Sequence, residues 1–303
     1  MTHEVVRSLT AGRVRYSYRL LRQGPPVIEP VLVLGGVQQG MHGWPYMDDA
    51  LGPLADVVTA DLPGMASADP LPDGPALPLA YTAIAQILDD LRVPRVNLFG
   101  FSYGADLAYG FTRRFPHRVA RLALGGVPAH VSDAQAAALH RAEAHLDRGD
   151  VRTFAALVAD SLLCTDSGRY IARRDLAHRY VRRTLAHTVR HSPHAAESLR
   201  RAVTERTDYT GGLTGVPALV FCGEHDTVTS PDRQRAFAGT IADSRFLTIP
   251  DSDHWVVLQR PHDVADLAAR FFTGRSLADA PCRRRVPRPS GAVPAPRAAA
   301  SES

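Results

Sequence analysis

The sequence predicts an α/β protein built on a parallel β-sheet with helices on both faces. Two observations predict this fold class. Short apolar runs rich in β-branched residues alternate with helical stretches of about 10–15 residues. Several of the runs are also continuously apolar, which is typical of strands buried on both faces.

The first part of the chain provides three strands. Residues 13–20 alternate between polar and apolar side chains and predict an early strand. The run PVLVL at 30–34 is continuous and stops at Gly35-Gly36, as a buried strand that meets a turn does. Residues 56–60 form the next apolar run and lead into the turn sequence DLPG.

The same alternation continues to residue 124. Residues 81–91 (YTAIAQILDDL) have the apolar spacing of a helix, and residues 95–99 (RVNLF) form a strand. A helix at 105–115 and a strand at 119–124 (VARLAL) follow. These elements complete five strands of the predicted sheet.

The alternation stops between about 129 and 210, where the sequence is helical and contains no convincing strand. It returns with a strand at 217–222, a helix near 232–240, a strand at 245–249 and a final helix at 262–272. We therefore predict a helical cap, or lid, that is inserted into an α/β core.

The predicted domains follow from these boundaries. The core comprises residues 1–128 and 211–274, and the cap comprises residues 129–210. From residue 275 to 303 the composition shifts to Pro, Arg, Ala and Ser, which predicts a disordered tail because such a segment buries little apolar surface.

Composition and charge exclude several classes of function. A formal charge of +4 is too small to suggest nucleic-acid binding. No apolar run reaches the ~18 residues that a membrane-spanning helix needs, and the first residues do not resemble a secretory signal, so we expect a cytoplasmic protein. The three cysteines have neither disulfide nor metal-ligand spacing, and no cofactor or metal site is predicted.

The stretch LFGFSYGAD at 98–106 contains the strongest candidate for a catalytic residue. Ser102 lies between Gly100 and Gly104, after a predicted strand and before a predicted helix. A serine on such a tight turn projects its hydroxyl above the sheet, and glycines on either side avoid Cβ clashes across the turn. Ser102 is therefore predicted to be a nucleophile.

A nucleophilic serine needs a general base and a carboxylate that orients it, and both are expected later in the chain. His254 follows the last predicted strand and is the candidate base. Asp226 follows the strand at 217–222 and is the candidate carboxylate, with Glu224 of the same loop as its competitor. Asp253 is a poor candidate because it is adjacent to His254 in the chain.

An oxyanion needs two backbone N–H groups near the serine hydroxyl. Tyr103, at the start of the helix, is one predicted donor, and Val37, after Gly35-Gly36, is the other. The loop GVQQGMHGWP at 36–45 follows immediately. Its Gln38 and Trp44 are candidate substrate-pocket residues, together with Gln39 and His42.

These segments together resemble the α/β-hydrolase superfamily. The resemblance rests on VLVLGGV, DLPGMA, GFSYGAD, VFCGEHD and SDHW, which occur in this order, and it covers about residues 5–274. It implies a mostly parallel eight-stranded sheet, a lid domain and a Ser-His-Asp triad. Many members have His-Gly where this chain has Gly35-Gly36, and His-Gly where it has Met65-Ala66.

The resemblance and Ser102 predict a serine hydrolase that cleaves a small-molecule ester, lactone or thioester through an acyl-enzyme. A role as a tailoring enzyme of specialised metabolism is a hypothesis that rests on the resemblance and on a composition typical of a GC-rich genome. The arginines in IARRDLAHRYVRR could bind an anionic substrate, such as a thioester of coenzyme A or of an acyl carrier. Alternatives are an acyltransferase, cyclase or lyase that uses the same triad, or a catalytically silent small-molecule receptor. The oligomeric state stays open.

Overall fold

An eight-stranded sheet forms the centre of the computed structural model, which describes residues 2–37, 39–192 and 194–284. The spatial order of the strands is β1-β2-β4-β3-β5-β6-β7-β8. The strands are β1 (His3–Ala11), β2 (Val14–Arg22), β3 (Val31–Leu34), β4 (Val57–Asp61), β5 (Val96–Phe101), β6 (Val119–Gly125), β7 (Ala218–Gly223) and β8 (Ser244–Ile249).

Ten α-helices connect and cover the strands in the described part of the chain. They are α1 (Pro45–Leu51), α2 (Leu77–Asp90), α3 (Tyr103–Arg114), α4 (Asp133–Leu146), α5 (Val151–Leu162), α6 (Arg174–His191), α7 (Ala195–Thr204), α8 (Pro231–Ala238), α9 (Val256–Gln259) and α10 (Pro261–Phe272). Four of them, α4 to α7, lie between β6 and β7, and we call these four the helical insertion.

The sheet is mostly parallel, which confirms the predicted fold class. The pairs β1–β2 and β2–β4 are antiparallel, and all other neighbouring strands are parallel. Because β3 and β5 are parallel neighbours, their carboxyl ends meet, with Leu34 opposite Gly100. The loops that follow β3, β5, β7 and β8 therefore open on the same edge of the sheet.

The core explains why the central strands have continuously apolar sequences. Successive residues of β3 alternate between two apolar clusters: Val31 and Val33 belong to one, and Leu32 and Leu34 to the other. The first cluster includes α1, α10 and parts of the helical insertion, and the second includes α2, α3 and α8. Since side chains alternate across a strand, both faces of the sheet are covered.

Two buried carboxylates connect the helical insertion to the core. The backbone N–H of Cys164, after α5, donates to Asp253 in the loop after β8, at 2.9 Å. The backbone N–H of Thr207, after α7, donates to Asp106 in the first turn of α3, at 3.1 Å, and the Tyr209 hydroxyl donates to the same carboxylate. The insertion is thus anchored near its middle and at its end.

The sequence predicts a disordered tail from residue 275 to 303, and the structure describes the first ten of these residues, 275–284. Leu277, Ala280 and Cys282 are buried and belong to the apolar cluster that contains α10. Small and apolar side chains spaced among Pro and Arg suffice to cover the end of this helix. Residues 285–303 lie outside the described residues. Among the helices that are described, none is both long and apolar enough to cross a membrane.

Gly104 provides a test of the tight approach between α3 and β3. A Cβ at this position would lie 2.2 Å from the carbonyl oxygen of Leu34 and 2.5 Å from that of Gly35. We expect Gly104→Ala to lower the free energy of unfolding by at least about 3 kcal/mol in urea titrations. The control is Gly24→Ala, because no atom lies within 4 Å of its added Cβ, and its effect should stay within about 0.5 kcal/mol. Equal stability of the two variants would contradict the packing argument.

Candidate active site

Ser102 occupies a sharp turn between β5 and α3. Its backbone has φ of 52° and ψ of −120°, a conformation that L-residues rarely adopt, and its N–H donates to the carbonyl of Gly125 at 2.8 Å. A Cβ on Gly100 would lie 2.4 Å from the Gly104 oxygen, so the turn requires glycine at this position. The local sequence therefore forces the Ser102 side chain out of the strand and toward the open edge of the sheet.

His254 lies in the loop between β8 and α9 and reaches the serine. Its Nε2 is 3.0 Å from Ser102 Oγ, and its Nδ1 is 3.0 Å from Asp226 Oδ2. Because an ionised carboxylate only accepts hydrogen bonds, Asp226 favours the proton on Nδ1. Nε2 is then an acceptor that faces the Ser102 hydroxyl, which is the arrangement that a general base requires.

Asp226, in the loop after β7, is the carboxylate that contacts His254. Its Oδ1 accepts the backbone N–H groups of Val228 and Thr229 at 2.8 and 2.7 Å, and its Oδ2 accepts the Thr229 hydroxyl at 2.7 Å. The competing candidate, Glu224, instead accepts the backbone N–H of Asp251 at 3.2 Å. The geometry therefore distinguishes the two acids that the sequence leaves open.

The surroundings of His254 stabilise the imidazolium form of its ring, which arises when the ring takes up a second proton. Burial of the ring disfavours the imidazolium form, but the carboxylates of Asp226 and Asp253 outweigh burial, so the pKa of His254 lies above its ordinary value. Both His254 and Asp226 are almost completely buried, with 2–3% of their surface exposed. The attraction between them therefore acts with little screening by solvent.

Asp253 holds the loop that carries His254. Its carboxylate accepts the backbone N–H of Cys164 at 2.9 Å, that of Trp255 at 3.0 Å and the side-chain N–H of Gln259 at 2.7 Å. Burial raises the pKa of Asp253, and these three hydrogen bonds oppose that rise. This carboxylate thus fixes the histidine loop and one end of α5.

The two predicted oxyanion donors both lie at the cavity next to Ser102. Val37 and Tyr103 line it together with Gly36, and a Cβ on Gly36 would lie 3.6 Å from the Ser102 Cβ. Within the described residues, neither the Val37 N–H nor the Tyr103 N–H donates to a protein acceptor. Tyr103 is the first residue of α3, where a helix leaves its N–H groups unpaired.

An apolar cavity of about 120 Å³ lies between the triad and the helical insertion. Its wall contains no Arg, Lys, Asp or Glu side chain among the described residues. Residues from α4 to α7 form most of the wall opposite Ser102: Gln135, Leu139, Val158, Ser161, Leu162, Tyr180, Val181, Thr184, Leu185, Leu199, Ala202 and Val203.

The predicted pocket residues have different positions. Trp44 is buried and packs edge-on against Phe99, with ring centroids 5.8 Å apart, and it is not part of the cavity wall. Gln38 lies outside the described residues. Gln39 lines the cavity. The apolar indole therefore supports the sheet face below the loop rather than the substrate space.

The arginines that suggested an anionic thioester do not reach this cavity. Arg179, Arg182 and Arg183 of α6 line a separate cleft with Arg152 and Arg190. The opposite face of α6 presents Tyr180, Val181, Thr184 and Leu185 to the cavity. The suggestion of an acyl-carrier or coenzyme A thioester therefore gains no support from the cavity wall.

The sequence analysis missed the groups that hold the candidate triad in place. Thr229 and Gln259 support Asp226 and Asp253, and Asp106 anchors the end of the helical insertion. Asp106 lies four residues after Ser102, in the first turn of α3. An acidic residue among the apolar residues of this helix is the signal in the sequence that could have identified it. Among residues 2–37, 39–192 and 194–284, no cluster of three His, Cys, Asp or Glu side chains is suited to a metal ion.

Titration of His254 tests these electrostatics. In wild-type protein we expect a pKa above the ordinary histidine value of about 6.5. Asp226→Asn removes the attracting charge but leaves the ring buried, so the pKa of His254 should fall below that of the wild type. The measurement is NMR titration of the ring nitrogens, with His3→Gln identifying an exposed histidine signal as reference. An unchanged pKa in Asp226→Asn would show that the carboxylate does not act on the ring.

Comparison with known proteins identifies the family of this chain. Residues 29–261, more than half of the chain, match the family model described as the alpha/beta hydrolase fold. A Bacillus subtilis (strain 168) protein, provisionally named as a 2-succinyl-6-hydroxy-2,4-cyclohexadiene-1-carboxylate synthase, is 23% identical over 84% of this chain and 94% of its own length.

Two solved structures show the same fold. A hydrolase from Pseudomonas aeruginosa PA01 superposes with a TM-score of 0.72 and 24% identity, over 89% of this chain and 98% of its own. The enol-lactonase from Burkholderia xenovorans LB400 superposes with a TM-score of 0.71 and 19% identity, over 88% and 100%. By its family match and its sheet, the chain belongs to the alpha/beta hydrolase family.

Proposed function

We propose that this protein hydrolyses a short, uncharged ester, lactone or thioester through an acyl-enzyme on Ser102. The observation that carries the proposal is the continuous chain of hydrogen bonds from Ser102 Oγ to His254 and on to Asp226, with both distances 3.0 Å, at the floor of an apolar cavity. A buried base that is oriented by a buried carboxylate is what converts a serine hydroxyl into a nucleophile.

The proposed mechanism uses the same residues in both half-reactions. His254 Nε2 takes the proton of Ser102 while Oγ attacks the carbonyl carbon, and the N–H groups of Val37 and Tyr103 receive the oxyanion. The imidazolium then donates its proton to the leaving alcohol or thiol, which leaves an acyl-enzyme. Water attacks this ester with His254 again as the base, and the acid is released with Ser102 regenerated.

The cavity wall supports an uncharged acyl group. Among the described residues no Arg or Lys side chain lines the cavity, so the carboxylate of an anionic acyl group would lose its water without gaining an ion pair to either, which costs several kcal/mol. The name of the Bacillus subtilis relative describes a carboxylate. The described cavity offers such a group no ionic partner, and we therefore propose that this chain acts on a different substrate class.

The volume of the cavity suggests the length of the acyl group. A protein cavity of about 150 Å³ accommodates a molecule the size of benzene. At about 120 Å³, the cavity has space for a group of about four to six carbon atoms. We propose an ester or a lactone as the reacting group. The proposed serine triad suits either of them, and the similar structure from Burkholderia is named as an enol-lactonase.

Removing the nucleophile is the first test of this function. We expect Ser102→Ala to lower kcat/KM for p-nitrophenyl butanoate by about 10⁴-fold or more, because the covalent route is lost. Ser8→Ala, on the exposed edge strand β1, removes the same hydroxyl far from the triad and should leave kcat/KM unchanged. Turnover by Ser102→Ala near the wild-type rate would contradict the proposed function.

The charge preference gives a second test. We expect kcat/KM for a p-nitrophenyl butanoate to exceed that for the p-nitrophenyl monoester of succinate by at least about 100-fold, which corresponds to 2.7 kcal/mol at 1.36 kcal/mol per tenfold. The two esters have the same number of acyl carbons, so the comparison isolates the charge. Product analysis with added alcohol distinguishes hydrolysis from acyl transfer. Equal rates for the two esters would contradict an uncharged substrate class.

A further inference from the structure

Gln39 is a buried polar residue of the loop after β3 that the proposed mechanism does not use. Only 7% of its surface is exposed. Its side-chain Oε1 accepts the backbone N–H of Gly36 at 2.9 Å, and its own backbone N–H donates to the carbonyl of Gly36 at 2.8 Å. Both hydrogen-bonding groups of Gly36 are therefore held by a single residue, and Val37 lies inside the turn that this closes.

We propose that Gln39 is the positioning residue of the oxyanion-binding loop, and that it does this in the space that the absence of a side chain at Gly35 leaves free. The inference rests on the proposed function, because it assigns Val37 as an oxyanion donor. The Gly36 N–H is bound by Gln39, and among the described residues of this turn the Val37 N–H stays available at the cavity.

The packing shows that Gly35 and Gln39 depend on each other. A Cβ at position 35 would lie 2.8 Å from the Cβ of Gln39, 3.0 Å from its carbonyl oxygen and 3.2 Å from Cζ2 of Trp44. Any side chain at 35 would therefore displace Gln39 or the backbone of the turn. Glycine at position 35 therefore leaves the space in which the Cβ and the carbonyl oxygen of Gln39 lie.

Gln39 lines the cavity, but its hydrogen bond with Gly36 points to a role in the transition state. Its side-chain oxygen is committed to Gly36, so what Gln39 controls is the direction of the backbone at Gly36 and Val37. A misdirected Val37 N–H weakens the bond to the oxyanion, which exists only after Ser102 attacks. Such a change lowers kcat and leaves KM nearly unchanged.

The test uses the full-length protein and two single variants. Gln39→Met keeps most of the side-chain volume but cannot accept the Gly36 N–H, and Gly35→Ala pushes against Gln39 from the other side. For p-nitrophenyl butanoate we expect each variant to lower kcat by about 10- to 100-fold. This decrease should not exceed the decrease in kcat that follows removal of a complete oxyanion donor. KM should change by less than about threefold.

A transition-state analogue separates positioning from general loosening of the fold. Butylboronic acid forms a tetrahedral, negatively charged adduct with a catalytic serine, so its inhibition constant should rise in parallel with the loss of kcat/KM. The double variant Gly35→Ala/Gln39→Met should lose no more than the worse single variant, because both remove the same hydrogen bond. Gln23→Met, which removes a side-chain amide at the end of β2, is the matched control and should keep wild-type kcat.

The outcomes distinguish this inference from the proposed function. If Ser102→Ala retains turnover, the proposed function fails. If Ser102→Ala is inactive but Gln39→Met and Gly35→Ala both keep kcat within about twofold of the wild type, the role of Gln39 alone is overturned. A fall in kcat with an unchanged inhibition constant for the boronic acid, or with a larger rise in KM, would also overturn it. Should Gln39→Met fail to fold, Gly35→Ala decides.

Discussion

The close approach between the first turn of α3 and the end of β3 is the constraint on which the site depends. With only hydrogen at the Cα of Gly104, the helix backbone comes directly against the carbonyls of Leu34 and Gly35. This contact sets the distance between the serine turn and the loop of Gly36 and Val37. Ser102 and the predicted donor Tyr103 therefore have positions set by backbone packing, and the side chain of Gln39 holds the turn that contains the other predicted donor, Val37.

The rest of the site extends from this contact through buried polar groups. Asp226 orients His254, and Asp253 fixes the loop that His254 lies on. Asp253 also binds the backbone after α5, and Asp106 binds the backbone after α7, so the helices that form the cavity wall are anchored to the segments that contain His254 and Ser102. Displacing the wall would break hydrogen bonds to buried carboxylates, which costs more than breaking exposed ones.

Much of the fold could be predicted from the sequence, and the exceptions have physical reasons. The central strands β3 to β7 are buried on both faces. Their apolar runs therefore predicted the first and last residue of each strand to within about two residues. The edge strand β1 was missed because six of its nine residues are exposed and Arg7 interrupts the apolar alternation of Val5, Leu9 and Ala11. The helices α1 and α9 are too short to show helical periodicity.

The candidate triad could be located because each member follows a recognisable strand. Ser102, Asp226 and His254 are brought together by the parallel register of β5, β7 and β8, and this register is independent of their own side chains. The cavity could not be predicted in the same way. Trp44 and Gln39 lie close together in the sequence, but only the packing around Gly35 determines which of them faces the substrate space.

The proposed mechanism requires Ser102 to carry the acyl group during turnover, and this intermediate can be trapped. The measurement is mass spectrometry of the protein quenched in acid during reaction with p-nitrophenyl butanoate, followed by peptide mapping. We expect a butanoyl group on the peptide that contains Ser102, at no more than one for each chain. A butanoyl group on another residue, with Ser102 unmodified during turnover, would rule out Ser102 as the nucleophile.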